Sequence, residues 1–230
     1  MTRRTPLSIV LTAVFALPAV AMAGETETET ATELAASETS ETTAAPAAEE
    51  AEPKTTALDT FKKAHETVLL YVRSKVKDDV IQKEVDNLLN YSWIAKTALG
   101  GTKGRADKKC EPRCAEFETA LGNLIRQNYL KRLHDADQGS VQYLGEEKRA
   151  RASKVTTKVK FKRDGVDQEI EVAYVMRAEN GKWQVVDIIT DGVSLVKNYK
   201  YEFNQILRDE GIDGLIKRLQ TKLDDLAKAQ

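Results

Sequence analysis

Two cysteines, two histidines and one aspartate in an apolar strand are the residues of this chain whose chemistry could exceed packing and solvation. Cys110 and Cys114 stand four apart across Glu111-Pro112-Arg113, a spacing that can bring two sulfurs together where a helix begins. In an exported chain with two cysteines a disulfide is the expected state, stapling the basic loop before it to the helix. A redox pair or half of a zinc site is the alternative, although redox motifs usually run C-x-x-C and no histidine stands nearby. His65 and His134 lie in separate helical patterns, and no G-x-S-x-G elbow offers either of them a nucleophile. Both read as surface or boundary residues. The phosphate-cradling patterns G-x-x-x-x-G-K-[ST] and G-x-G-x-x-G are absent, and Gly100, Gly101 and Gly104 follow a helix rather than a strand. Asp187 depends on the register of its strand. Facing the sheet's apolar side beside Tyr174, it would be a carboxylate raised in pKa, as an isomerase on an α+β cone would use; facing outward, it would bond to backbone. The outward position is the expected one.

The elements that must position these residues follow from hydrophobic period. Leu58, Phe61, Val68, Leu69 and Val72 predict an amphipathic helix over 57–76, and Val80, Ile81, Val85, Leu88, Leu89, Trp93 and Ile94 a second from about 78 to Leu99, stopped by Gly100-Gly101. A basic loop covers 102–113. Cys114, Phe117, Leu121, Leu124, Ile125 and Tyr129 then mark a third helix to about Arg132. The period next changes from 3.6 to 2. Val155, Thr157, Val159 and Phe161 alternate with Lys154, Thr156, Lys158, Lys160 and Lys162, a half-buried strand with a lysine-bearing wet face. Asp164-Gly165 is a two-residue turn, so paired residue numbers should sum to 329, setting Val159 against Ile170, Val155 against Tyr174, and Lys158 and Lys160 against Glu171 and Glu169.

The strand from Trp183 to Thr190 follows a turn at Glu179-Asn180-Gly181, and its register is open. A two-residue loop puts Trp183, Val185 and Asp187 on the Tyr174 face; a three-residue loop with a bulge at Gly181 puts Gln184, Val186 and Ile188 there. Ser194 is the expected N-cap of a helix carrying Leu195, Val196, Tyr199, Phe203 and Ile206. Gly211 closes it, and Ile212, Leu215, Ile216, Leu219, Leu223 and Leu226 form the stripe of a last helix. Helices, a strand meander and helices again predict an α+β fold with helices packed on one face of a curved antiparallel sheet.

The chain has 230 residues, 41% hydrophobic and 6% aromatic, with 35 Lys plus Arg against 36 Asp plus Glu. Its near-neutral balance hides a split. Residues 24–53 hold nine Glu and no Lys or Arg, and residues 1–23 two Arg, leaving 33 basic and 27 acidic residues from position 54 onward, a net of +6. That mild basicity suits an anionic surface but is well short of a nucleic-acid footprint. Arg3 and Arg4, the apolar run Leu7 to Val20 and the small-x-small site Ala21-Met22-Ala23 predict a secretory signal cleaved after Ala23, its run shorter than the ~20 residues of a span. Residues 24–56 lack the apolar content to fold and are expected to be an acidic tether, with the domain over 57–230. A mature protein soluble outside the cytoplasm is expected.

The run from Trp183 to Phe203, W-Q-V-V-D-I-I-T-D-G-V-S-L-V-K-N-Y-K-Y-E-F, resembles the signature of the MlaC or toluene-tolerance auxiliary family of periplasmic phospholipid-binding proteins. It matches at Trp183, Val185, Asp187, Gly192, Val193, Ser194, Leu195, Asn198, Tyr199 and Phe203, and continues at Gly211, Gly214, Leu215 and Ile216. The likeness spans roughly residues 57–228. It departs at Tyr91-Ser92, where the family often has Phe-Asp, and at Lys200, where Arg is common. It implies an NTF2-like or cystatin-like cone and a monomeric, non-enzymatic shuttle. That shuttle would carry phospholipid as cargo, without cofactor or metal, between an outer-membrane lipoprotein complex and an inner-membrane ABC transporter with an MCE-domain subunit, maintaining outer-membrane lipid asymmetry. The residues expected to line its pocket are Trp93, Leu121, Ile125, Tyr129, Val159, Val172, Tyr174, Val186, Ile188, Val193, Leu195, Tyr199 and Phe203, each of which could equally be core. Lys103, Arg105, Lys108, Lys109 and Arg113 would meet phosphate, an acidic partner or solvent. An isomerase-like enzyme using Asp187 and a non-lipid-binding adaptor are the rival readings.

Overall fold

In the computed structural model the described residues are 53–101, 106–135, 139–149, 152–163 and 165–228. All belong to the compact unit Glu50–Gln230. The expected signal peptide, most of the acidic tether, Lys103 and Arg105 lie outside the described residues. Helix α1, Ala57–Arg73, begins where the Thr56 hydroxyl accepts the Asp59 N–H at 3.0 Å, and the Asp59 carboxylate adds favourable charge at the helix N-terminus. It buries Phe61, His65, Val68 and Val72, a stripe at i, i+4, i+7 and i+11.

The single helix expected over 78–99 is two: α2, Asp78–Leu88, and α3, Tyr91–Ala98. Leu89 between them is extended (φ −97°, ψ 136°) and forms a parallel bridge with Val185, while the Asn90 N–H donates to the Val185 carbonyl at 2.9 Å. The Asn90 side chain then caps α3 by accepting the Trp93 N–H at 2.9 Å. The apolar stripe runs unbroken through Leu88, Leu89, Trp93 and Ile94 and conceals the break. Inside the expected basic loop lies a single turn, α4, Asp107–Cys110, followed by α5, Cys114–Asp135. Arg126 of α5 ties these helices together: its Nε donates to Asp86 Oδ1 at 2.7 Å, the same oxygen that accepts the Tyr91 hydroxyl at 2.9 Å.

Five strands follow in chain order as neighbours: β1, Ser140–Arg149; β2, Ala152–Arg163; β3, Val166–Glu179; β4, Lys182–Thr190; and β5, Val193–Ser194. The sheet is an open antiparallel meander, which corrects the expected curved cone: β1 and β5 stand at opposite edges and do not pair. Closing a sheet requires its outer strands to meet, and alternation along each strand says which face is wet without saying how the sheet bends. Strand β1 is absent from the periodicity reading, because its inward pair Val141 and Tyr143 is followed by a register shift between Tyr143 and Gly145 and then by charged residues.

Strands β2 and β3 pair in the register that sums to 329, from Arg163 with Val166 to Val155 with Tyr174. Lysines fall on the wet face as expected, and Lys158 pairs diagonally with Glu169 at 2.7 Å. The β3–β4 turn is the two-residue form, with Asn180 and Gly181 at φ 51° and 72°. Met176 accordingly pairs with Val185. A bulge then shifts the register, so Val175 pairs with Asp187 and Tyr174 with Ile188. Each of the two registers weighed for this strand describes one half of it. Helix α6, Leu195–Lys228, contains the expected break at Gly211 (φ 65°, ψ −169°), and Ser194 caps it by accepting the Lys197 N–H at 3.1 Å.

Candidate functional site

The buried layer between the sheet and the helices draws on every part of the fold. From α5 come Leu121 and Ile125; from β3, Val172 and Tyr174; from β4, Val186 and Ile188; from α6, Leu195, Tyr199 and Phe203; all are buried. Tyr199 stacks on Phe203 at 5.0 Å, and Phe117 meets Phe203 edge-on at 5.8 Å, an arrangement that aromatic quadrupoles favour. Three expected lining residues sit apart. Val159 is half-buried toward the β2–β3 turn, Trp93 is half-buried beneath the Arg177 guanidinium at 4.2 Å, and Val193 is 60% exposed on the edge strand β5.

The structure adds a cluster that periodicity did not single out. Phe61 lies 4.1 Å from Tyr174, centroid to centroid, and stacks on His65 at 5.1 Å. His65 Nδ1 and the Tyr143 hydroxyl share a 3.0 Å hydrogen bond. Far from being a surface residue, His65 is buried, and desolvation pushes its pKa down to about 4, so the imidazole is neutral at pH 7. Burial also raises Tyr143, to about 12, and Tyr174 further. Phe61 and His65 occupy the i, i+4 stripe of α1, which was a signal; Tyr143 was hidden with its strand. Tyr129 is half-buried, and its hydroxyl is enclosed without a hydrogen-bond partner, as are Gln127 Oε1 and Glu202 Oε2.

Asp187 lies on the face away from Tyr174, because the bulge turns it there. Desolvation raises its pKa, while the Ser194 hydroxyl at 2.6 Å and the Val196 N–H at 3.1 Å pull it back by stabilising the charge. Its two oxygens thus secure the start of α6. Cys110 and Cys114 form a disulfide with Cα atoms 4.6 Å apart. Asp107 approaches the two sulfurs, but sulfurs bonded to each other offer no thiolate to a metal. Of the basic residues here, Lys109 donates to Asn204 Oδ1 at 2.7 Å and Arg113 bonds Glu116 and Asp213, whereas Lys108 faces solvent. The first two therefore brace the loop against α5 and α6.

Two surface depressions are open to solvent, one of about 280 Å³ bordered by Lys109, Asn204 and Gly211 and one of about 350 Å³ bordered by Asp59, Lys62 and Leu70. Neither is lined by the buried layer. No helix among the described residues is long and apolar enough to cross a membrane.

Fold and site together define an α+β domain with an aromatic-rich apolar layer between an open sheet and its helices. The chain belongs to the MlaC protein family, whose model matches residues 56–221. Among solved structures it is similar to a phospholipid-binding protein from Ralstonia solanacearum determined in complex with a phospholipid: 19% identity over 74% of this chain and 98% of that one, with a TM-score of 0.61. A second chain, labelled NTF2, reaches 18% identity over 57% and 96% of the two chains, with a TM-score of only 0.32. No curated protein matches in sequence.

Proposed function

We propose that this protein is a periplasmic phospholipid carrier that encloses acyl chains between its sheet and its helices. The observation that carries the reading is the family match across residues 56–221, supported by a fold shared with a protein that holds a phospholipid. The physics supplies the need. At ~0.8 kcal/mol per buried CH₂, two chains of about 15 methylenes each would cost on the order of 20 kcal/mol to draw bare through water. A lipid of that size needs a site toward the upper end of the roughly 300–1,000 Å³ typical of ligand pockets. Loading parts helices from sheet and replaces side-chain contacts with acyl contacts. Leu121, Ile125, Val172, Tyr174, Val186, Ile188, Leu195, Tyr199 and Phe203 are the residues that would exchange one apolar neighbour for another.

The finer parts of the reading belong to the same proposal. Residues 1–23 serve as a cleavable export signal and the Glu-rich segment to residue 56 as a tether. Exchange partners are an outer-membrane lipoprotein complex and an inner-membrane ABC transporter with an MCE-domain subunit. Asp187 plays no catalytic part in it, since both carboxylate oxygens are engaged at the start of α6.

Native mass spectrometry of the protein from a periplasmic extract, with lipid extraction of the same sample, tests the carrier. One or two co-purifying phospholipid masses are expected. A bare polypeptide that stays bare after incubation with phospholipid vesicles sinks the reading and favours an adaptor.

A further inference from the structure

The first half of α6 turns Leu195, Tyr199 and Phe203 to the core and a different kind of face to water. At about 100° per residue, Lys197, Lys200, Tyr201, Asn204 and Arg208 fall within about 60° of one line along the helix. Lys197, Lys200 and Arg208 are exposed, and Tyr201 is exposed by 68%. Val193, at the strand end just before the helix, is exposed by 60%. The acids of this stretch point elsewhere: Glu202, Asp209 and Glu210 lie more than about 100° round the helix from that line. Glu210 is moreover held by Arg218, and the oxygens of Asp187, the acid that feels the Lys197 charge, take the Ser194 hydroxyl and the Val196 N–H. Among the described residues no carboxylate forms an ion pair with Lys197, Lys200 or Arg208. The wet face of the sheet is built differently. There Lys158, Lys160 and Lys162 each meet a carboxylate, at 2.7, 3.4 and 2.8 Å.

Charge and shape together select what this face would meet. Its cations call for an anionic surface, and at its far end the open depression of about 280 Å³ adds Lys109, beside Arg208 and the apolar Leu207 and Ile212. A convex helix face gives a folded partner little to grip, whereas a bilayer yields to it. Cations reach lipid phosphates while an amphipathic tyrosine and an aliphatic side chain sink to headgroup level. We propose that the outer face of α6, from Val193 to Arg208, docks on an anionic lipid bilayer, with Lys197, Lys200 and Arg208 on the phosphates and Tyr201 and Val193 in the interface. The carrier reading neither requires this contact nor supplies it, since exchange through protein complexes leaves the bilayer itself untouched.

Vesicle flotation at physiological salt, where charges beyond roughly 8 Å are screened, tests it on the full chain. Vesicles of phosphatidylglycerol mixed with phosphatidylcholine are compared with phosphatidylcholine alone. The wild type is expected to bind the first and not the second. Replacing Lys197, Lys200 and Arg208 together by Gln should weaken binding on the order of 100-fold, at about fivefold for each cation. Replacing Lys158, Lys160 and Lys162 by Gln removes the same charge from the sheet and should change binding far less. Tyr201→Ser should weaken it severalfold while leaving its salt dependence unaltered, and this single exposed change decides the matter if the triple variant fails to fold. Equal weakening by the two triple variants overturns the inference, because net charge alone would then be acting. A wild type that ignores anionic vesicles overturns it as well and gives the face to an acidic protein. Lipid capture, read by native mass spectrometry on the same samples, stands apart: a wild type that floats with vesicles yet carries no lipid removes the carrier reading and leaves the docking face in place.

Discussion

Burial of the His65 imidazole against Phe61 and Tyr143 makes the domain sensitive to mild acid. The folded-state pKa lies at about 4, against 6.5 for the free side chain, so between those values the unfolded chain binds a proton that the folded one refuses. Stability from this residue is full above pH 6.5 and is lost as pH falls toward 4. At pH 5 the loss amounts to about 2 kcal/mol relative to pH 7.5. Urea unfolding of wild type and His65→Gln at both pH values isolates it from the carboxylates, which titrate in both proteins. The difference in stability between the two should shift by that amount, and an unchanged difference would show that the imidazole protonates as freely in the folded state. Asp187 illustrates the converse case at the same scale, a half-buried acid held by a hydroxyl and an amide rather than by chemistry on a substrate.

Helices and strands here break where single residues direct them to. Leu89 ends one helix and Asn90 starts the next, and the backbone here pairs with Val185, which covers an edge of β4 that β5 is too short to reach. Gly211 interrupts α6 at φ 65° and ψ −169°, a conformation nearly confined to glycine. Nothing stands within 4 Å of a Cβ built there, so Gly211→Ala meets no clash and its whole cost is backbone strain. That cost should be about 1–3 kcal/mol, lowering Tm by roughly 2–10 °C for a domain of this size. Calorimetry of Gly211→Ala checks it; an unaltered Tm would mean that the two halves of α6 join without the kink.

At the level of the whole domain, acyl chains taken up between sheet and helices replace contacts among the buried side chains there. Lipid that binds the folded chain alone stabilises it by mass action, about 2.7 kcal/mol at a free concentration of 100 Kd, and should raise Tm by roughly 5–10 °C. A thermal scan of delipidated protein with and without added short-chain phospholipid makes the comparison. No shift at saturating lipid would show that the layer between sheet and helices stays shut.

Much of this architecture was legible from residues alone. The β2–β3 register followed from alternation and from a turn of two residues, because a one-residue slip would send every lysine inward. The Ser194 cap, the Gly211 break and the Cys110–Cys114 pairing are likewise local, set by neighbours in the chain. The run from Trp183 to Phe203 carried the resemblance that the family match bears out. Other features are decided only when distant segments meet. The break at Leu89 exists because Val185 offers it a backbone partner, and the bulge that turns Asp187 outward belongs to a pairing between strands. His65 and Tyr143 are brought together across 78 residues, and the Tyr129 hydroxyl is orphaned by what surrounds it. Period and turn chemistry are properties of a segment. Bridges, bulges, sheet closure and the satisfaction of a buried polar atom are properties of pairs of segments, and no single stretch of sequence contains them.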